Sequence, residues 1–159
     1  MRLATVRLNN EEQTVIIRND EVVLLRHLNE RLNKEYPLSL LPLIETDLLQ
    51  SLKRDCASLQ QEDWDAVQKF SLDEVHFVAP YRNPTHIFGV GMNYVEKAQD
   101  LQATPVDHAP VCFLKPATSL IGMNESIVLP RVSKRVTAEG ELSLIIGKRC
   151  FEVSEEEAL

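Results

Sequence analysis

The chain has 159 residues, 44% of them hydrophobic and 26% charged, which is the make-up of an ordinary globular protein of one domain or two small ones. Its net charge of -7 argues against a nucleic-acid partner, which would need a basic face for phosphates. No apolar stretch approaches the roughly 20 residues of a membrane span, and Met1 to Arg7 lacks the apolar block of a secretory signal. Cys56, Cys112 and Cys150 are odd in number and widely spaced, without metal-type pairing, so a reduced, cytoplasmic setting is expected.

In chain order, residues 1 to about 25 read as an antiparallel meander. Leu3 to Leu8 predicts a strand, Asn9-Asn10-Glu11-Glu12 a turn and Thr14 to Arg18 a second strand. Asn19-Asp20 turns again into a third strand, Val22 to Leu25. Asp47 is placed to cap a helix carrying Leu48, Leu52 and Leu59 on one face. Asp63 is placed to cap another that buries Trp64, Val67 and Phe70. Residues 1–79 thus predict a small N-terminal α/β domain without a chemical motif.

Ala79-Pro80-Tyr81-Arg82-Asn83-Pro84 is a stiff connector, because its prolines fix backbone angles and remove donors. The domain boundary is expected there. Beyond it, strands are expected at His86 to Val90, Val111 to Lys115, Ile127 to Leu129 and Ala138 to Ile146, with a helix from Tyr94 to about Gln102. The fold class is therefore α+β, mainly β.

Gly89-Val90-Gly91 precedes a predicted helix, as a dinucleotide fingerprint would, but Tyr94 stands where the third glycine belongs. The glycines instead permit a tight strand-to-helix turn. Lys97 and Asp100 are three apart and share a helix face, where by themselves they make a surface ion pair of little worth. His27, His76, His86 and His108 show no ligand spacing.

The run from Thr137 to Gly147 is the most telling. As a strand it sets Glu139, Glu141 and Ser143 on one face and Gly140, Leu142, Leu144 and Ile146 on a core face. Two carboxylates one pleat apart suit either a solvated polar face or a hard cation such as Mg²⁺ or Mn²⁺, which takes oxygen ligands. Two ligands are too few for a cation, so a third acid would be needed. At the end, Ser154-Glu155-Glu156-Glu157 is a capping-box sequence that announces a helix two residues before the chain stops. The expectation is that the chain is a fragment.

Gly89-Val90-Gly91-Met92-Asn93-Tyr94, Phe113-Leu114-Lys115-Pro116 with Ser119, Leu129-Pro130, and Glu139-Gly140-Glu141-Leu142 through Ile146-Gly147-Lys148 occur in this order. Together they resemble the fumarylacetoacetate hydrolase family from about Pro80 to Glu157. The resemblance implies that residues 80–159 are the first part of a mixed β-roll catalytic domain, incomplete at its C-terminus. It implies an Mg²⁺- or Mn²⁺-dependent enzyme on small 2-oxo or 1,3-dicarbonyl acids, performing C–C hydrolysis, decarboxylation or keto–enol isomerisation, as in aromatic catabolism. It also implies a homodimer when intact.

Glu139 and Glu141 fall on the family's first two metal-ligand positions, and its third ligand, an aspartate, and its lysine would lie beyond Leu159. Tyr94 and Lys115 fall on the substrate side. Hydrolytic members carry a His–Glu dyad, where this sequence has Lys97 and Asp100 as the catalytic pair. A lysine of ordinary pKa is protonated at neutral pH and a poor base, so hydrolysis is expected to give way to decarboxylation or isomerisation. Met92 also replaces a cation that many members use for substrate. The same departures suit a second reading, a non-catalytic relative acting as a binding or assembly module.

Overall fold

A computed structural model describes residues 1–91, 94 and 111–158. It divides into two units, Met1–Pro80 with Gly122–Leu159, and Tyr81–Ile121.

The first unit is built on the meander. Strands β1 (Arg2–Leu8), β2 (Glu11–Arg18) and β3 (Glu21–Leu24) pair antiparallel. The first turn is tighter than the four residues expected, and the second is the expected Asn19-Asp20. Asn9-Asn10 and Asn19-Asp20 are two-residue turns with φ of 52°, 66°, 50° and 62°. Asparagine and aspartate tolerate this left-handed region, and two consecutive positive φ values match the twist of the flanking strands. The ladder therefore pairs Arg2 with Ile17 through Leu8 with Glu11, and Val15 with Leu24 through Arg18 with Glu21.

Two short edge strands, β4 (Lys69–Ser71) on β3 and β5 (His76–Phe77) on β1, complete the five-stranded sheet β4-β3-β2-β1-β5. Register puts Val6, Val15, Val22 and Leu24 on one face, packed with Ala4, Leu8, Ile17, Phe70, Leu72, Val75 and Phe77. The Thr5 hydroxyl donates to Pro80 O, and Val78 N donates to Thr5 O at 3.0 Å, which ties residues 78–80 to the sheet.

The helices α1 (Leu25–Leu32), α2 (Leu40–Glu45), α3 (Leu49–Ser58) and α4 (Gln61–Asp65) follow β3, and Leu25, Leu28, Leu43, Leu52 and Trp64 are buried. Asp47 does not cap α3. It lies in the left-handed region at φ 56°, and Leu48 is the N-cap. Asp63 is the third helical residue of α4, completing a capping box with Gln60. Phe70 lies on β4 rather than on that helix.

A polar clasp joins α1 to α3. Asn29 Nδ2 donates to Tyr36 O at 2.8 Å, and Tyr36 N donates back to Asn29 Oδ1 at 3.0 Å. The buried Tyr36 hydroxyl then donates to Asp55 Oδ2 at 2.7 Å, with Lys34 Nζ 3.4 Å from the same oxygen. Burial and the bond to Asp55 push the Tyr36 phenol up to about 12.

The second unit contains the antiparallel hairpin of β6 (Ile87–Gly91) and β7 (Val111–Lys115), and both strands fall where the sequence predicts them. The predicted helix from Tyr94 to Gln102 lies, apart from Tyr94, outside the described residues. The other two predicted strands are corrected. Residues 127–129 and 138–146 have no regular secondary structure, and Leu142, Leu144 and Ile146, expected in a core, are 84%, 83% and 76% exposed. Alternation selects a strand only where another strand supplies hydrogen bonds, and no described strand pairs with either segment. At Ser154 the capping box forms, with Ser154 N donating to Glu157 Oε2 at 2.9 Å and Glu157 N to Ser154 Oγ at 3.3 Å. It closes a turn, not a helix.

Replacing Tyr36 by Phe removes the only hydroxyl of the clasp and should cost about 1 kcal/mol. Thermal unfolding would show this as a fall in Tm of about 2–8 °C, and an unchanged Tm would exclude the clasp as a stabilising contact. A second test uses acid. Asp55 is held below its ordinary 3.8 first by Tyr36 and then by Lys34, Asp63 by the Gln60 N–H and then Arg31, and Asp65 by Lys69 and then Gln61. Carboxylates depressed on folding stabilise the fold above their unfolded pKa. Urea midpoints should therefore be level at neutral pH and fall as pH drops through 3.8.

Candidate functional site

The candidate residues are distributed over both units. In the second, β6 and β7 align Gly89 with Phe113 and Ile87 with Lys115. The Phe113 ring lies over Gly89 so closely that even a Cβ there would collide with it. Glycine in a strand marks such an approach, which gives Gly89 a packing role besides any part in a turn. The Lys115 ammonium stands 5.6 Å from the centroid of that ring, a cation–π distance. Lys115 is exposed, as is half of Tyr94. The hairpin therefore presents a cation beside an aromatic face, able to meet a carboxylate. Lys97 and Asp100 lie outside the described residues, as do Met92, Asn93 and His108.

In the first unit, Glu139 and Glu141 are both exposed. No group of three or more His, Cys, Asp or Glu side chains close enough to hold a metal ion occurs among the described residues. Hard carboxylate oxygens are nonetheless the donor type that Mg²⁺ and Mn²⁺ take, so the chemistry of the pair fits such an ion while the coordination shell is incomplete. Around Gly140 there is open space, with nothing within 4 Å of where a side chain would begin.

Two features escaped the sequence reading. One is the Gly89–Phe113 pair, whose signal was the shared strand alternation of β6 and β7. The other is a cleft of about 420 Å³ lined by His27, Glu30, Arg31, Ala66, Val67 and Gln68, which contains none of the predicted site residues. Arg31 in this cleft is already ion-paired with Asp63. His76 stands 3.9 Å from Glu125 and His86 stacks on Phe88, so these two histidines have structural neighbours.

Comparison with known proteins supplies the frame for these residues. Residues 86–159 match the model described as fumarylacetoacetate (FAA) hydrolase C-terminal. An uncharacterised protein of Archaeoglobus fulgidus is 41% identical over 87 residues, which are 55% of this chain and 34% of that protein. The human mitochondrial oxaloacetate tautomerase FAHD2A is 42% identical over 76 residues, 48% of this chain and 24% of that protein. The chain thus spans about a third or less of the length of these relatives.

The crystal structure of a provisionally assigned HpcE protein from Mycobacterium smegmatis superposes with a TM-score of 0.51 at 20% identity, covering 80% of this chain and 40% of that one. At that identity it speaks for the fold alone, a mixture of helices with curled antiparallel sheet. Among the described residues no helix is long and apolar enough to cross a membrane. Through residues 86–159, the chain belongs to the fumarylacetoacetate hydrolase family.

Proposed function

We propose that this chain is part of a divalent-metal-dependent keto-acid enzyme whose reaction is keto–enol isomerisation in preference to C–C hydrolysis. In this reading residues 1–79 form an accessory domain and residues 80–159 the first part of the catalytic domain. The observation that supports it is the 42% identity to an oxaloacetate tautomerase over 76 residues, taken with the resemblance by which Lys97 and Asp100 fall at the hydrolytic dyad positions.

Hydrolysis requires a base that strips a proton from water, and a protonated lysine does this poorly. Isomerisation has a different requirement. A proton leaves the carbon next to the ketone, and another reaches the carbonyl oxygen, with no net change in composition. A carboxylate such as Asp100 suits the first task and an ammonium such as Lys97 the second. Lys115 and Tyr94 would hold the substrate's carboxylate. Glu139 and Glu141 would contribute to a site for Mg²⁺ or Mn²⁺, whose Lewis acidity favours enolate formation. The substrate class is a small 2-oxo acid, with oxaloacetate the first to try.

The second reading, a relative without catalysis, is favoured by one observation, the loss of the dyad histidine to Lys97. Turnover decides between them.

Mn²⁺ titration followed by electron paramagnetic resonance should show binding weakened at least tenfold by Glu139→Ala/Glu141→Ala, measured on the protein that carries this chain. Equal binding by both proteins would sink the metal assignment. For the chemistry, enol absorbance of oxaloacetate gives the rate directly. Lys97→Ala should slow isomerisation about 100-fold while leaving Mn²⁺ affinity unchanged. An unaltered rate would remove Lys97 from the reaction, and absence of metal-dependent turnover in the unmodified protein would support the binding module.

A further inference from the structure

On the β6–β7 hairpin, Ile87, Gly89 and Gly91 share a face with Val111, Phe113 and Lys115, because paired residues of an antiparallel ladder lie on one side and side chains alternate along each strand. Gly89 is the cross-strand partner of Phe113, and a Cβ at Gly89 would collide with Cζ, Cε1 and Cε2 of that ring. The ring can therefore lie across position 89 only while that residue is glycine. In return it shields a glycine that brings no side chain of its own to the sheet. The Lys115 ammonium, two residues along the same strand face, stands 5.6 Å from the ring centroid. Its cross-strand partner is Ile87, which carries no charge, and no carboxylate pairs with it among the described residues.

A lysine on an open strand face carries its charge on a flexible four-carbon stem, so the ammonium of an unrestrained Lys115 would sweep a wide volume. The negative face of an aromatic ring draws a cation within about 6 Å of its centroid and narrows that range. We propose that Phe113 is a positioning residue which, seated on Gly89, holds the Lys115 ammonium ready for the carboxylate of a small 2-oxo acid. This role rests on the reading of Lys115 as a substrate contact. Cause runs from the missing Cβ of Gly89 to the pose of the ring, and from the ring to the cation. Phe113 acts through Lys115 and not on the reacting atoms. The gripped carboxylate is not itself a reacting group, so the contact binds ground and transition states alike and shows in KM rather than kcat. An exposed cation–π contact corresponds to about a two- to fivefold effect on binding.

Two measurements keep the ring's hold on Lys115 apart from the substrate reading. In the NMR spectrum of the chain, the Hε protons of Lys115 should lie upfield of those of the other lysines, because protons over an aromatic face are shielded. Phe113→Leu and Gly89→Ala should each abolish that displacement, the second without removing either partner, and Phe113→Tyr should keep it. No displacement, or one that survives Gly89→Ala, would overturn the proposal. The second measurement is turnover of oxaloacetate by the protein that carries this chain. Phe113→Leu should raise KM about two- to fivefold at unchanged kcat, and Phe113→Tyr should restore it. Lys115→Ala should raise KM about tenfold or more. A KM that moves in Lys115→Ala and not in Phe113→Leu would overturn the role of the ring. A KM moved by neither would overturn the substrate reading of Lys115, on which that role depends.

Discussion

Both central residues of the two hairpin turns, Asn9-Asn10 and Asn19-Asp20, sit at positive φ, and the register of the five-stranded sheet follows from that constraint. A two-residue turn leaves no slack. It fixes Leu8 opposite Glu11 and Arg18 opposite Glu21, and every later pair is then determined. Because side chains alternate faces, a slip of one residue would carry Val15 and Ile17 away from Ala4, Val6, Val22 and Leu24. The short edge strands depend on the same register. Phe77 pairs with Val6 and Phe70 with Val22, so each edge is pinned at a core valine.

How far the fold could be read from sequence depended on how local its causes are. The meander was legible because turn chemistry and strand alternation act within a few residues. The strands β6 and β7 were legible for the second reason alone, though not their pairing. The strands β4 and β5 were missed, because three and two residues are too few to show a period. Helix α1 was also missed, although Leu25, Leu28 and Leu32 carry the helical spacing. The opposite error occurred at 138–146. There the alternation is strong, yet the hydrogen bonds that would make a strand are non-local and no described strand supplies them.

Of the candidate site, residue types and order were legible and assembly was not. Lys115 gains meaning from Phe113, its neighbour on the same strand face, and from the cross-strand register that sets Gly89 under that ring, which the strand pattern of either segment alone does not reveal. Lys97 and Asp100 lie outside the described residues, and only their side-chain chemistry bears on the site.

The carboxylate pair shows how exposure sets the demand for a cation. Two unit charges 4 Å apart in water interact by only about 1 kcal/mol, so exposed carboxylates two residues apart need no cation between them. At the effective dielectric near a protein surface the same repulsion rises to about 4 kcal/mol. Exposed as they are here, Glu139 and Glu141 exert little demand for a metal. Surroundings that exclude water from the pair would raise that demand, and a bound cation would offset the cost.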